Sequence, residues 1–392
     1  MRLLHTADWH LGRSFESWSL IEHQEQFLRW LADVCIERSV DAVLVSGDVY
    51  DRAVPPLDAI HVLENALGSL VATCPVILIP GNHDSPTRLG FGGQLLDAAR
   101  VHLRATLADI VRPVALSDAQ GTRLLVYGIP FLEPLAVRDQ LGCERTHASA
   151  LAAAMELIRA DVRRQPSDSS GLPPRVVVLA HGVVGGGARS DSERDISIGG
   201  VAEAPASTFD GCDYVALGHL HRPQWIESAA AGPLIHYSGS PLAYSFSEEQ
   251  HTKSVTLIDL APTGPLTVEQ IAVPVPRRLI TLTGTLQQLC TDPALDGHAD
   301  DWVRAIVTDP VRPERIMDRL RERFGFIVAM AWQPPAATGP TPLDGRPEDV
   351  SADPVEVVRA FIEHVTATAA SARMLELVDE AVQRIRLAER DR

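Results

Sequence analysis

Short clusters of aspartate, histidine and asparagine recur along this chain: Asp8-x-His10, Gly47-Asp48, Gly81-Asn82-His83-Asp84, His181-Gly182 and Gly218-His219-x-His221. Their side chains offer oxygen and nitrogen donors with no sulfur among them, a set suited to manganese, iron or zinc rather than softer metals. Alternation along an extended backbone puts both members of Asp8-x-His10, and of His219-x-His221, on one side. Seven donors (Asp8, His10, Asp48, Asn82, His181, His219, His221) are too many for one four-coordinate ion. They suit two ions that share a bridging carboxylate, with water completing each shell. A lone histidine at a strand end is ordinarily a surface or hydrogen-bonded residue, and His5, His23, His61, His102, His147, His236, His251, His298 and His364 are read that way. Five clusters in series call for a different reading.

Each cluster follows an apolar run that must position it. Val76 to Ile79 is short, apolar and mostly β-branched, and Pro80-Gly81 stops it, as a buried strand requires. The polar groups then emerge at the carboxyl edge of a sheet, where α/β folds place their sites. The same logic predicts strands at residues 3–5, 41–45, 124–127, 175–180 and 214–217. Apolar spacing predicts helices over 22–38 and 56–70, and an alanine-rich one over 148–164. This β-α-β-α-β alternation specifies an α/β layered domain. Strands near 235–237 and 254–260, with turn residues between them, are expected to form an antiparallel edge. The glycine- and serine-rich run 185–200 lacks periodicity and is expected to be mobile.

Pro274-Val275-Pro276 marks a boundary. A strand at 302–307, a helix at 313–324 and a strand at 326–330 make a small α+β unit beyond it. Residues 334–353 are proline-rich and read as a linker. Asp353 is placed as the N-cap of a helix with Pro354 in its first turn and Glu356 three residues after the cap. Val355, Val358, Phe361, Ile362 and Val365 share its apolar face. A second helix from about Ser371 repeats the pattern through Met374, Leu377, Val378, Ala381 and Ile385.

Composition narrows the classes. Of 392 residues, 45% are hydrophobic and 22% charged, as in a globular protein. No signal peptide is expected, because Asp8 and His10 lie too close to Met1 to be cleaved away. No apolar run reaches the roughly 18 residues of a membrane span. Five scattered cysteines without a CxxC pair point to free thiols in a reducing cytoplasm. The formal net charge of −16 argues against unaided nucleic-acid binding, although a basic partner or a local arginine patch can carry phosphate contacts. Lys253 is the one lysine against 34 arginines, read here as coding bias rather than chemistry.

The five clusters resemble the signature of calcineurin-type metallophosphoesterases. More narrowly, Asp48-Val49-Tyr50-Asp51, Pro80-Gly81-Asn82-His83-Asp84-Ser85, Tyr237-Ser238-Gly239-Ser240-Pro241 and Tyr244-Ser245-Phe246-Ser247-Glu248 resemble SbcD-type nuclease subunits. The resemblance spans about residues 1–275. It implies a four-layer α/β/β/α sandwich over 1–275, a small α+β capping domain over 276–333, a linker over 334–353 and docking helices over 354–392. It implies two manganese ions, one held by Asp8, His10 and His221 and the other by Asn82, His181 and His219, with Asp48 bridging. His83 would be the catalytic imidazole that contacts the scissile phosphate or protonates the leaving oxygen, and Asp84 its orienting partner. Asp51 receives no catalytic role.

The implied activity is a manganese-dependent DNA nuclease of double-strand break repair and recombination, a 3′–5′ double-strand exonuclease and a single-strand or hairpin endonuclease. The implied partners are DNA and an SbcC-type ATPase with a long coiled coil, in a heterotetramer containing a homodimer of this chain. The implied setting is cytoplasmic and nucleoid-associated, with no membrane. Arg88, Arg189, Arg194 and Arg222 are candidate contacts to the DNA backbone, each equally readable as a solvated surface residue. The closest alternative is a phosphodiesterase of the same superfamily acting on nucleotides or other small esters. A binding scaffold on an inactive fold fits poorly, because all seven ligands and His83 are present.

Overall fold

A computed structural model of the chain describes residues 1–16, 18–118, 123–167, 171–194, 196, 203–230, 232–335, 354–366 and 368–390. Two six-stranded sheets form its centre. The first runs, in spatial order, Thr267–Ala272, Ser254–Asp259, Arg2–Thr6, Ala42–Ser46, Val76–Ile79 and Val101–Leu103. Its last four strands are parallel, and the first two are antiparallel additions. The second runs Gln224–Ile226, Leu234–Tyr237, Tyr214–Gly218, Arg175–His181, Arg123–Gly128 and Val114–Ser117, with four parallel strands between two antiparallel edges.

Both faces of each parallel core are covered, which explains why the strands read as unbroken apolar runs. Period-two alternation divides their side chains. Leu3, Leu44, Ile77 and Ile79 of the first sheet meet Val126, Val177, Leu179 and Ala216 of the second. On its outer face the first sheet turns Leu4, Val43, Val45 and Leu78 to helices Ile21–Glu37 and Leu57–Val71. On the other side Leu125, Val178 and Val215 meet helix His147–Val162. The layers are therefore α/β/β/α, as the family resemblance implied.

Two expectations need correction. The strands at 234–237 and 254–259 do not form one antiparallel edge: Leu234–Tyr237 lies parallel to Tyr214–Gly218, whereas Ser254–Asp259 crosses to the other sheet beside Arg2–Thr6. Both segments are buried and apolar, so either could join whichever sheet offered an open neighbour. The small unit also contains a third strand, Leu279–Gly284, and its order Leu279–Gly284, Trp302–Val307, Ile327–Trp332 is wholly parallel. Helices Leu286–Thr291 and Ile316–Arg321 make the crossovers that parallel pairing demands, and Leu286, Leu320 and Phe324 fill the core beneath them. It is a βαβ arrangement rather than α+β. Finally, most of the proposed linker and the Asp353 cap lie outside the described residues, as do Asp195 and residues 197–200 of the run expected to be mobile.

The small sheet meets the main body through aromatic rings. Trp302 packs edge-on to Phe15 and Trp18, with centroids 5.9 and 5.6 Å away, and Trp18 lies 5.2 Å from Phe326. Tyr244, Phe246 and Leu279 belong to the same buried cluster. Helices Pro354–Thr366 and Ala372–Arg390 pair with each other beyond the small sheet in sequence.

Candidate metal centre

The carboxyl ends of the parallel strands of both sheets open onto one place. Asp8 and His10 follow Arg2–Thr6, Asp48 follows Ala42–Ser46, and Asn82 and His83 follow Val76–Ile79. His181 ends Arg175–His181, and His219 and His221 follow Tyr214–Gly218. All seven expected ligands and His83 are brought together there, and the six charged or imidazole ligands are buried to 3% exposure or less.

The backbone is bent to achieve this. Asp8, His10, Asp48 and His219 have φ of 55°, 45°, 48° and 102°, left-handed values that side-chain-bearing residues rarely adopt. Such strain concentrates where the surroundings over-determine a functional geometry. Close approach supplies part of that constraint. A Cβ on Gly81 would strike the Asp48 carboxylate, and one on Gly218 would strike the Ser46 carbonyl on the neighbouring sheet.

Donor atoms cluster in two halves about Asp48. In one, Asp8, His10 and His221 offer atoms within 4.8 Å of one another; in the other, Asp48, His181 and His219 do. His10 Nε2 lies 3.1 Å from His221 Nε2 and 3.7 Å from Asp48 Oδ2. Asn82 Oδ1 lies 3.0 Å from both His181 Nε2 and His219 Nδ1, and His181 Nε2 is 3.4 Å from Asp48 Oδ2. Bonds of about 2.1 Å to a common ion, at right angles, separate neighbouring donors by about 3 Å. Asp48 Oδ1 accepts the His83 amide at 2.9 Å, leaving Oδ2 turned toward both halves.

The hydrogen bonds fix tautomers in the sense that metal ligation needs. His181 Nδ1 donates to the Ser46 carbonyl at 2.8 Å, so its Nε2 lone pair faces the site. His221 Nδ1 is committed to Ser192 Oγ at 2.6 Å, with the same result. His10 Nδ1 and Asn82 Nδ2 are buried without a hydrogen-bond partner among the described residues. An N–H cannot bind a cation, and it is the lone pairs of His10 Nε2 and Asn82 Oδ1 that face the cluster. The set fits a divalent metal centre.

Electrostatics says the same. Burial pushes the Asp8 carboxyl up to about 7, whereas for Asp48 the opposing effect of burial is overcome by His181, His10 and His83, which hold it well below its ordinary range. Burial drives His10 and His219 well down. It acts the same way on His181, but Asp48 and Asp8 outweigh it and raise that imidazole to about 9. The acids therefore compete for one or two protonated imidazoles, a competition that bound cations relieve.

Two roles differ from expectation. Asp84 does not orient His83. Its Oδ2 accepts the amides of Val49 at 3.0 Å and Gly81 at 2.9 Å, and its Oδ1 accepts that of Tyr50 at 2.9 Å. It ties the loop after Ala42–Ser46 to the loop after Val76–Ile79. The chain bends through Asn82, His83 and Asp84, and the side chains of His83 and Asp84 find separate partners. His83 is oriented instead by Asp51, whose carbonyl accepts from Nδ1 at 2.7 Å. The Asp51 carboxylate also lies 3.6 Å from His10 Nδ1. His83 Nε2 lies 4.0 Å from Asp48 Oδ2, within the donor spacing of His10 and Asp48.

Ser192, Glu193 and Lys253 also reach the site, although nothing in their local sequence marked them for it, and Glu248 reaches it from the motif at 244–248, to which the resemblance gave no role. Tyr244 does too, through edge contacts to His10 and His221 at 5.2 and 5.6 Å. Of the arginines singled out, Arg88 donates to the Ala53 carbonyl at 2.9 Å. The charges of Arg194 and Arg189 are felt at His83 and His219, where they add to burial in lowering the imidazoles.

The family model for calcineurin-like phosphoesterases matches residues 1–223. The SbcD subunit of the SbcCD nuclease from Staphylococcus saprophyticus is 34% identical over 265 residues, covering 66% of this chain and 66% of that protein, just under two thirds of its length. Among solved structures, a Thermus thermophilus protein aligns over 69% of this chain and 98% of its own at 15% identity and a TM-score of 0.39. A dimetal phosphatase from Danio rerio aligns over 70% of this chain and 99% of its own at 12% identity and a TM-score of 0.40.

The three amides gathered by Asp84 make a stability prediction. Asp84→Ala strands them in a buried loop and is expected to destabilise the fold by about 3 kcal/mol, measured by denaturant unfolding. An unchanged unfolding midpoint with hydrolysis lost would return Asp84 to the chemistry.

Proposed function

The chain belongs to the calcineurin-like phosphoesterase family, and from that premise we propose that it is the nuclease subunit of an SbcCD-type complex, hydrolysing DNA phosphodiesters with two manganese ions. The observation that carries hydrolysis is the convergence of five strand ends on donor atoms arranged in two halves about Asp48. Asp8, His10 and His221 would hold one ion, Asn82, His181 and His219 the other, and Asp48 both. Two such ions lower the pKa of a bound water and stabilise negative charge on the phosphoryl oxygens. DNA as substrate rests on the relative named a nuclease subunit.

The chain's own residues supply the rest. With Nδ1–H held by Asp51, His83 aims Nε2 at the site. Burial keeps this imidazole below its ordinary value. That favours the neutral ring in the empty site; the negative charge of a phosphate beside it acts the other way, so that His83 can hold a proton there and pass it to the leaving oxygen. Arg13, Arg189 and Arg194 give the rim positive charge in a chain of net charge −16, so phosphate affinity must be local or shared with a partner.

Two surfaces support an assembly. Val357, Phe361, Met374 and Leu377 are exposed on the paired C-terminal helices, an apolar face suited to the coiled coil of an SbcC-type ATPase. Val54, Leu57, Phe91 and Leu95 are exposed beside an apolar groove of about 660 Å³ lined by Leu63, Leu67 and Leu89. A patch of this kind marks an interaction site, and a second copy of this chain is its proposed occupant. On this reading the sheet at 279–332 is the capping domain, and the protein works in the cytoplasm at the nucleoid in break repair and recombination. No helix among the described residues is long and apolar enough to cross a membrane.

The deciding assay offers free-ended and hairpin duplexes with manganese or chelator, with and without an SbcC-type ATPase. Manganese-dependent cleavage is expected, and hydrolysis confined to nucleotides would overturn the nuclease reading. His83→Asn is expected to keep its metal content and lose about 10²–10⁴ in rate; loss of metal instead would make His83 a ligand. Deleting residues 350–392 should abolish ATPase binding in pull-down and spare cleavage of a small phosphodiester. Leu57→Glu with Leu95→Glu should convert a dimer to a monomer in sedimentation, and a monomeric wild type would remove the dimer.

A further inference from the structure

Glu248 and Lys253 form an ion pair that is almost wholly excluded from water, at 1% and 3% exposure. Burying two charges costs several kcal/mol, so such a pair is weak evidence for stability alone. Its surroundings give it another use. Lys253 Nζ donates to Glu248, to Ser240 Oγ at 3.0 Å and to the backbone carbonyl of His221 at 3.0 Å. Three acceptors converging on one nitrogen suit an ammonium, whose three N–H bonds share an atom; a guanidinium spreads its donors over a planar fork. The single lysine among 35 basic residues stands where an arginine does not fit.

Glu248 reaches the same histidine from the other side. Its Oε1 accepts from Ser192 Oγ, and that oxygen lies 2.6 Å from His221 Nδ1. A hydroxyl has one proton: donated to Glu248, it leaves a lone pair for the His221 Nδ1–H. Glu248 Oε1 itself is 3.5 Å from Nδ1. Glu193 Oε1 accepts the His221 amide at 2.8 Å. His221 is thus held by side chains at its amide, carbonyl and ring, and the Ser240 amide adds a second donor to the carbonyl at 3.2 Å. His181, in the other half, has its ring nitrogen fixed by the backbone carbonyl of Ser46.

We propose that Glu248 and Lys253 are a positioning pair for His221, acting through Ser192, and that they set the affinity of the ion held by Asp8, His10 and His221. This rests on the reading of those three residues as ligands. The carboxylate locks the Nδ1–H tautomer and makes Nε2 a better donor. Lys253 holds Glu248 by Oε2 and leaves Oε1 aimed at Ser192.

The test titrates manganese into the full-length protein by calorimetry, with the manganese EPR spectrum and the metal-free unfolding midpoint as further readouts. Wild type is expected to bind two ions. Ser192→Ala and Glu248→Gln should each weaken one ion about 10–100-fold and leave the other unchanged. Ser192→Thr, which keeps the hydroxyl, should restore it. Lys253→Arg should show the same selective loss as Glu248→Gln. Wild-type affinities and spectra in Ser192→Ala and Glu248→Gln would overturn the proposal, as would equal loss of both ions with a lowered metal-free midpoint. A wild type that binds no ion would sink the ligand reading, and the pair's role with it.

Discussion

Two aspartates and four histidines share a space from which water is nearly absent, and most of what is unusual in this molecule answers to that crowding. Left alone, the carboxylates compete: Asp48 keeps its charge by drawing on His181, His10 and His83, while burial leaves Asp8 inclined to take a proton. Such a cluster is stable only if its parts cannot drift apart and if cations share the charge. The positive φ values at Asp8, His10, Asp48 and His219 are strain that the surrounding contacts must hold in place. Asp84 provides one such contact by binding amides from two loops with a single carboxylate.

The two sheets serve this arrangement by bringing parallel strand ends to one edge from both sides. The layer between them is apolar except for a seam in which His5 bonds Tyr214 and Ser46 and His236 bonds Thr256. Ser46 then bonds Ala216 through its hydroxyl and His181 through its carbonyl. Sheet register and ligand orientation thus meet in one residue. The absence of room at Gly218 belongs to the same contact, since that glycine is what allows the Ser46 backbone to come so near.

The strands that carry the candidate ligands were legible because full burial makes them continuous apolar runs with abrupt stops, and the candidate ligands were legible because each follows such a stop. Val101–Leu103, Val114–Ser117 and Gln224–Ile226 were not, being short edge strands with little pattern to read. Leu279–Gly284 interleaves threonine with leucine and isoleucine, and nothing local tells a parallel partner from an antiparallel one. For Asp84, adjacency in sequence suggests a pairing with His83 that the bend through residues 82–84 undoes. Ser192 and Glu248 are separated from His221 by 29 and 27 residues, so only the folded chain reveals that they act on it. Lys253 was dismissed with the arginine bias, whereas its three converging acceptors give it a geometric reason to be lysine.

The turn at residues 244–249 faces two ways. Tyr244 and Glu248 look inward to His221, while Phe246 lies under the Arg304 guanidinium at 4.6 Å and Glu249 accepts from Thr281 at 2.6 Å, both on the small sheet. One peptide bond separates the residue that faces the His221 ring from the residue that grips the neighbouring sheet. The turn is therefore a strut: a load that tilts the small sheet is carried directly to His221, and whatever stiffens His221 resists the tilt in equal measure.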